Sequence, residues 1–205
     1  MKKILLYGDS NTFGLNPQKF SRYDENARWS GIIKEKLKND FEVIEEGANN
    51  RTGFSKNPEG EFYSSQEYFP KLLKSIGIID IIVIAIGTND LQFQYDISFE
   101  RIEEGLQNLV EEGKKYSNNI ILIPSVILDD RILNGFFKTM FDKTGIQKSK
   151  SVGQIYRKIA EKSNCYIFDV NEFAKGSDTD GLHYSEESHK LIAEKLLKFL
   201  EDKIF

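Results

Sequence analysis

Only one cysteine, Cys165, occurs in the 205 residues, which excludes an internal disulfide framework. Long apolar runs are missing as well. The longest, Ile78–Ile86, is interrupted by Asp80 and falls far short of the roughly 20 residues needed to cross a bilayer. No charge of one sign dominates. The 28 Lys and Arg stand against 32 Asp and Glu, for a net charge of −4. Basic residues are interleaved with Glu, as on solvated helix faces, and leave no electrostatic footprint for nucleic acid. There is no Walker loop, no G-x-G-x-x-G and no G-x-S-x-G elbow. The acids Asp129, Asp130, Asp178 and Asp180 lack a metal-ligand spacing, so neither a metal nor another cofactor is expected. Two lysines and four apolar residues before Gly8 are too little for a signal-peptide core. The expectation is one cytoplasmic domain over residues 1–205.

What is present is an alternation of two periodicities. Short, nearly continuous apolar runs recur at Lys3–Tyr7, Phe41–Ile44, Ile79–Ile86, Ile120–Pro124 and Cys165–Val170, as in strands buried on both faces. Helical spacing lies between them. Ile102, Leu106, Leu109 and Val110 share a face after Ser98 as N-cap, and Ile155, Ile159 and Ala160 mark a second helix. A terminal helix over Glu186–Asp202 has Ser185 as N-cap and turns Leu191, Ile192, Leu196, Phe199 and Leu200 inward. Strand–helix alternation predicts an α/β fold with a parallel sheet covered on both faces. Two stretches fit less well. Phe13–Asn26 reads as a long loop. Ile132, Leu133, Phe136, Phe137, Met140 and Phe141 form a helix-spaced stripe, read as core, with a pocket wall or subunit contact as the alternative.

Four polar clusters follow four of the five strands: Gly8-Asp9-Ser10-Asn11, the loop Gly47–Gly53, Gly87-Thr88-Asn89-Asp90 and Asp180-Gly181-Leu182-His183. Carboxyl ends of parallel strands share one sheet edge, where ligands bind, so these clusters are expected to meet. Ser10 is then a candidate nucleophile and His183 its base, imidazole being suited to taking a hydroxyl proton near neutral pH. Asp180, three residues earlier, can orient the ring. Asn89 can aim an amide N–H at a developing oxyanion, and Asn50 a backbone N–H. Both are also good turn residues. Asp9 and Asp90 are read as loop supports, bonded to backbone N–H groups or to Arg51. His189 is expected at the surface without a role, and Cys165 as a small core residue.

With these blocks in this order, the chain resembles the SGNH hydrolases, also called the GDSL esterase/lipase family. Gly8-Asp9-Ser10-Asn11 corresponds to the nucleophile block, Gly87-Thr88-Asn89-Asp90 to G-x-N-D and Asp180-Gly181-Leu182-His183 to D-x-x-H. Asn11 replaces the usual leucine. Asn50 stands where a glycine usually offers its N–H to the oxyanion hole, with Gly47 as the fallback. Val43–Thr52 is similar to the arylesterase and acyltransferase branch. The resemblance implies a three-layer α/β/α, flavodoxin-like fold with a five-stranded parallel sheet. It implies a serine esterase that hydrolyses or transfers short acyl groups, acetyl first. The catalytic residues would be Ser10, Asp180 and His183, and the oxyanion hole Ser10, Asn50 and Asn89. The partner is a small-molecule ester, and a homo-oligomer is in keeping with that branch. Acetylated carbohydrates, thioesters and lysophospholipids are the other substrates to weigh. The alternative outside enzymes is a flavodoxin-like module whose Gly8–Asn11 loop cradles phosphate or a nucleotide.

Overall fold

A strand buried on both faces needs apolar side chains at every position, and the first run meets that condition: Ile4, Leu5, Leu6 and Tyr7 have no exposed surface. The computed structural model describes residues 1–205. In chain order it contains β1 (Lys2–Gly8), the single turn α1 (Ser10–Phe13), a hairpin of β2 (Leu15–Asn16) and β3 (Ser21–Arg22), α2 (Trp29–Leu37) and β4 (Phe41–Gly47). There follow α3 (Ser65–Ile76), β5 (Ile81–Ala85), α4 (Phe99–Lys114), β6 (Asn119–Ile123), α5 (Lys143–Ser163), β7 (Tyr166–Ile167) and α6 (Glu186–Lys203). The main sheet has the order β4-β1-β5-β6-β7, and every pair in it is parallel. Helix α2 packs on α6, while α4 packs on both α3 and α5, so helices cover the sheet in two sets. This is the expected α/β/α, flavodoxin-like arrangement.

The register places the site. Gly8 at the end of β1 lies opposite Gly47 of β4 and Ala85 of β5. Three strands therefore end level, and the loops that follow start side by side where the strand order reverses. Close approach there explains two glycines. A Cβ on Gly8 would lie 2.4 Å from the Ala85 carbonyl oxygen, and one on Gly47 would lie 2.2 Å from the Phe13 nitrogen.

Helix ends follow ordinary capping. Ser98 Oγ accepts from the Arg101 N–H, Ser185 Oγ from Ser188 and the Asp142 carboxylate from Gly145. Several expectations need correction. The third strand is Ile81–Ala85, shorter than Ile79–Ile86, and the fifth shrinks to Tyr166–Ile167 because Asp169 caps a 3₁₀ turn at Val170–Glu172. Phe13–Asn26 is not one long loop; it holds the last residue of α1 and the β2–β3 hairpin. The Ile132–Phe141 stripe is two 3₁₀ turns, Asp130–Leu133 and Phe136–Thr139, and not a helix. Its two ends, Ile132 and Phe141, are core, but Phe136 is 70% exposed. Helices α2 and α3 had no assignment from periodicity. In α3, Pro70 sits inside the helix and masks its pattern. No helix is long and apolar enough to cross a membrane.

Candidate active site

Beyond Gly8 the chain turns at once into α1. Asp9 is the N-cap, with its carboxylate accepting from the Asn11 N–H at 3.0 Å. This places Ser10 at the first position of the turn, over the end of β1. His183 arrives from the loop before α6, and its Nε2 lies 3.0 Å from Ser10 Oγ. The other ring nitrogen, Nδ1, lies 2.7 Å from Asp180 Oδ2. Asp180 Oδ1 accepts from the Leu182 and His183 backbone N–H groups at 2.9 Å and from Ser177 Oγ at 3.2 Å. Burial alone would raise the Asp180 pKa. The hydrogen bonds from the His183 ring and from the two backbone donors outweigh it and hold the carboxyl below its ordinary range. An ionised Asp180 accepts the hydrogen bond from Nδ1–H, which keeps the proton on Nδ1 and leaves Nε2 as an acceptor for the Ser10 hydroxyl.

The position where this chain departs from the usual leucine has a definite task. Asn11 Nδ2 donates to the Leu182 carbonyl at 3.2 Å, and its Oδ1 accepts from the Tyr184 N–H at 3.1 Å. Asn11 thus grips the backbone on both sides of His183. The Trp29 indole N–H in turn donates to the Asn11 carbonyl at 3.0 Å.

The second and third loops close the other side. Asn50 has φ 60°, the left-handed conformation that favours glycine and that asparagine tolerates. Its carbonyl accepts from Asn57 Nδ2 at 2.7 Å and its amide donates to Glu59 at 2.5 Å, but its own N–H has no partner in the protein. The Ser10 N–H is likewise unused. Asn89 spends one amide hydrogen on the Arg51 carbonyl at 3.0 Å and keeps the other. Gly47, the fallback for Asn50, lies in β4 with the Phe13 backbone against it. The Ser10 N–H, the Asn50 N–H and one amide hydrogen of Asn89 are thus left without a protein partner.

Asp9 and Asp90 bind backbone, one of the two options expected, and not Arg51. Asp90 accepts from the Gly53, Phe54 and Ser55 N–H groups at 2.6, 2.8 and 2.7 Å. Complete burial still raises its pKa to about 6 against those three donors, and burial raises Asp9 in the same way. Arg51 faces elsewhere. Fully buried, it donates to the Gly8, Glu46 and Phe62 carbonyls and stacks over the rings of Tyr7, Phe62 and Tyr68. It joins the second loop to the end of β1.

Gln92 and the buried position of His189 escaped the sequence reading, while Phe137 belongs to the stripe for which a pocket wall was the alternative. Gln92 is buried, and its Nε2 lies 3.1 Å from both Asn50 Oδ1 and Asn89 Oδ1. A 3₁₀ turn at Asn89–Leu91 folds it back, so an amide three residues after Asn89 was the available signal. The Phe137 ring packs on the His183 ring with centroids 5.2 Å apart, and Phe136 and Phe20 extend that apolar surface outward. His189 is not at the surface. It is fully buried beside Tyr23 and Tyr184, with Nδ1 accepting from the Trp29 N–H at 3.4 Å. Its spacing with Ile192, Ala193 and Leu196 was the signal that it belongs to the inner face of α6. No cluster of His, Cys, Asp or Glu is placed to hold a metal ion.

Known proteins share the family and the fold. The GDSL-like Lipase/Acylhydrolase family matches residues 6–191. An aryl esterase from M. smegmatis is 25% identical, with 98% of this chain and 99% of that one aligned at a TM-score of 0.87. A carbohydrate acetylesterase from Sinorhizobium meliloti is also 25% identical, with the same coverage and a TM-score of 0.85. A lipase/acylhydrolase from Enterococcus faecalis, 20% identical over 99% of this chain and 97% of that one, shares the fold at a TM-score of 0.68. No curated protein sequence matches the chain.

Proposed function

The chain belongs to the GDSL-like lipase/acylhydrolase family, a family of carboxylic ester hydrolases, and from this we propose that it is a serine esterase for short acyl esters, acetyl esters first. The observation that carries the reading is the unbroken line from Asp180 through His183 to Ser10, with gaps of 2.7 and 3.0 Å. In the proposed reaction Ser10 Oγ attacks the ester carbonyl carbon while its proton passes to His183 Nε2. Asp180 holds the ring and stabilises the imidazolium. The Ser10 N–H, the Asn50 N–H and the spare Asn89 N–H meet the oxyanion. The C–O bond to the alcohol then breaks, and His183 returns the proton to the leaving oxygen. Water, deprotonated by the same nitrogen, releases the acid from Ser10; an alcohol in place of water gives acyl transfer.

The short acyl group is supported by the names of two neighbours, an aryl esterase and a carbohydrate acetylesterase. Because His183 must reach the leaving oxygen, the alcohol half of the ester departs past Phe137, Phe136 and Phe20. That wall suits an apolar alcohol. A phosphate cradle at Gly8–Asn11 fits less well, since the N-terminus of α1 already faces the carboxylate of Asp9.

Labelling with a fluorophosphonate, followed by peptide mapping, tests the mechanism. Modification of Ser10 alone is expected. Modification elsewhere, or none in folded protein, sinks it. Turnover of p-nitrophenyl acetate well above the octanoate tests the chain length, and the reverse preference overturns it.

A further inference from the structure

An oxyanion hole acts only if its donors point correctly before charge develops, so whatever fixes an asparagine amide matters as much as the amide itself. Asn89 is anchored at one end by donating to the Arg51 carbonyl. At the other end its Oδ1 accepts from Gln92 Nε2 at 3.1 Å, and the same nitrogen lies 3.1 Å from Asn50 Oδ1. Gln92 is itself oriented, because its Oε1 accepts from Gln94 Nε2 at 2.7 Å, so Nε2 is the end that faces the two asparagines. Gln92 is 1% exposed, and bulk water does not compete for these bonds. The second bond exists only because this chain has a side chain, and not a glycine, at residue 50.

We propose that Gln92 is a positioning residue that couples the second and third loops and sets the two proposed oxyanion donors, Asn50 and Asn89, in register. The inference rests on the esterase reading and concerns only how its oxyanion hole is held. If Nε2 is removed, Asn89 keeps its bond to Arg51 but can rotate about it, and the Asn50 side chain loses its bond to the third loop. Such a loss is felt where charge builds up on the oxyanion and hardly at all in ground-state binding.

The test is a double-mutant cycle on p-nitrophenyl acetate hydrolysis with wild type, Gln92→Met, Asn89→Ala and the double variant. Methionine matches glutamine in length without a donor, which keeps the packing. The expected result for Gln92→Met is a fall in kcat of about tenfold with KM within about twofold. In the Asn89→Ala background the same change should cost less than about threefold, because the amide it orients is gone. An equal fall in both backgrounds, or a rise in KM alone, would mean that Gln92 only supports the fold. No change in either would likewise overturn the proposal. If Gln92→Met does not fold, Gln92→Glu removes the same donor and enters the same cycle. Failure of the esterase reading itself looks different: Ser10→Ala would then turn over ester at the wild-type rate.

Discussion

Asn11→Ala isolates the contact that holds the proposed base over the proposed nucleophile. In the folded protein Asn11 is 7% exposed and closes two hydrogen bonds, to the Leu182 carbonyl and from the Tyr184 N–H. Alanine leaves both backbone groups buried without a partner, at about 1–3 kcal/mol each. Local relaxation recovers part of this, so a net loss of about 2–4 kcal/mol is expected. In a chain of this size each kcal/mol moves the thermal midpoint by roughly 2–4 °C, which makes the expected drop roughly 4–16 °C. Activity should fall further than stability alone explains. Freed backbone on both sides of His183 lets the ring drift from Ser10, and a displacement near 1 Å costs on the order of 10² in rate. Urea unfolding and p-nitrophenyl acetate kinetics well below the melting temperature separate the two effects. Asn11→Leu adds a decisive comparison. It loses the same two bonds, but burying leucine returns about 1.5–3 kcal/mol, so stability should recover while kcat does not. The reasoning is refuted if Asn11→Ala unfolds within about 0.5 kcal/mol of wild type and keeps kcat within about twofold.

His189 should make the protein acid-sensitive. Burial, with the nearby His183 and Arg28 charges, pushes its pKa down from 6.5 to about 3. Between those values the unfolded chain takes up a proton that the folded chain refuses. Stability is therefore intact above pH 6.5 and is lost as pH falls toward 3, by up to about 5 kcal/mol. Urea midpoints from pH 7 to pH 4 should slope less steeply in His189→Gln, and parallel slopes would sink the idea. Asp180 works in a lower window: its carboxyl is held below the ordinary 3.8, so its contribution is present above that value and disappears as pH falls further. Asp180→Asn should lower kcat by roughly 10³–10⁴ at pH 7, as when a serine hydrolase loses the acid that sets the imidazole tautomer; a loss under tenfold contradicts the assignment. Phe136→Ala should raise KM for phenyl acetate several-fold while leaving methyl acetate unchanged, since one exposed ring offers about 1 kcal/mol to an apolar alcohol. Equal effects on both esters would place the alcohol elsewhere.

The sheet was legible because both of its determinants are local: β-branched apolar runs for the strands and polar Gly-containing clusters at their ends. Level strand ends, Gly8 beside Gly47 and Ala85, then bring distant clusters together without further instruction. What escaped depends on tertiary context. Pro70 hid α3, because a proline inside a helix contradicts its own local signal. His189 reads as polar among Glu186, Glu187 and Lys190, yet its ring fills the space between Tyr23 and Tyr184. The Ile132–Phe141 stripe has helical spacing but a glycine at 135 between its turns, so half of it packs inward and half turns toward His183.

The two departures from the usual family pattern follow one logic. A leucine at residue 11 could fill space but could not bind the backbone around His183, and a glycine at residue 50 could offer an N–H but no side chain to Gln92. In this chain both positions carry carboxamides, each donating and accepting at once. Asn11 ties the first loop to the fourth, and Asn50 with Gln92 ties the second to the third. Core contacts of Leu91 and Leu182 anchor two of these loops, but packing is non-directional and cannot by itself orient an amide. Directional bonds between buried amides can, and they lie where the proposed mechanism needs fixed distances: around the base and around the oxyanion.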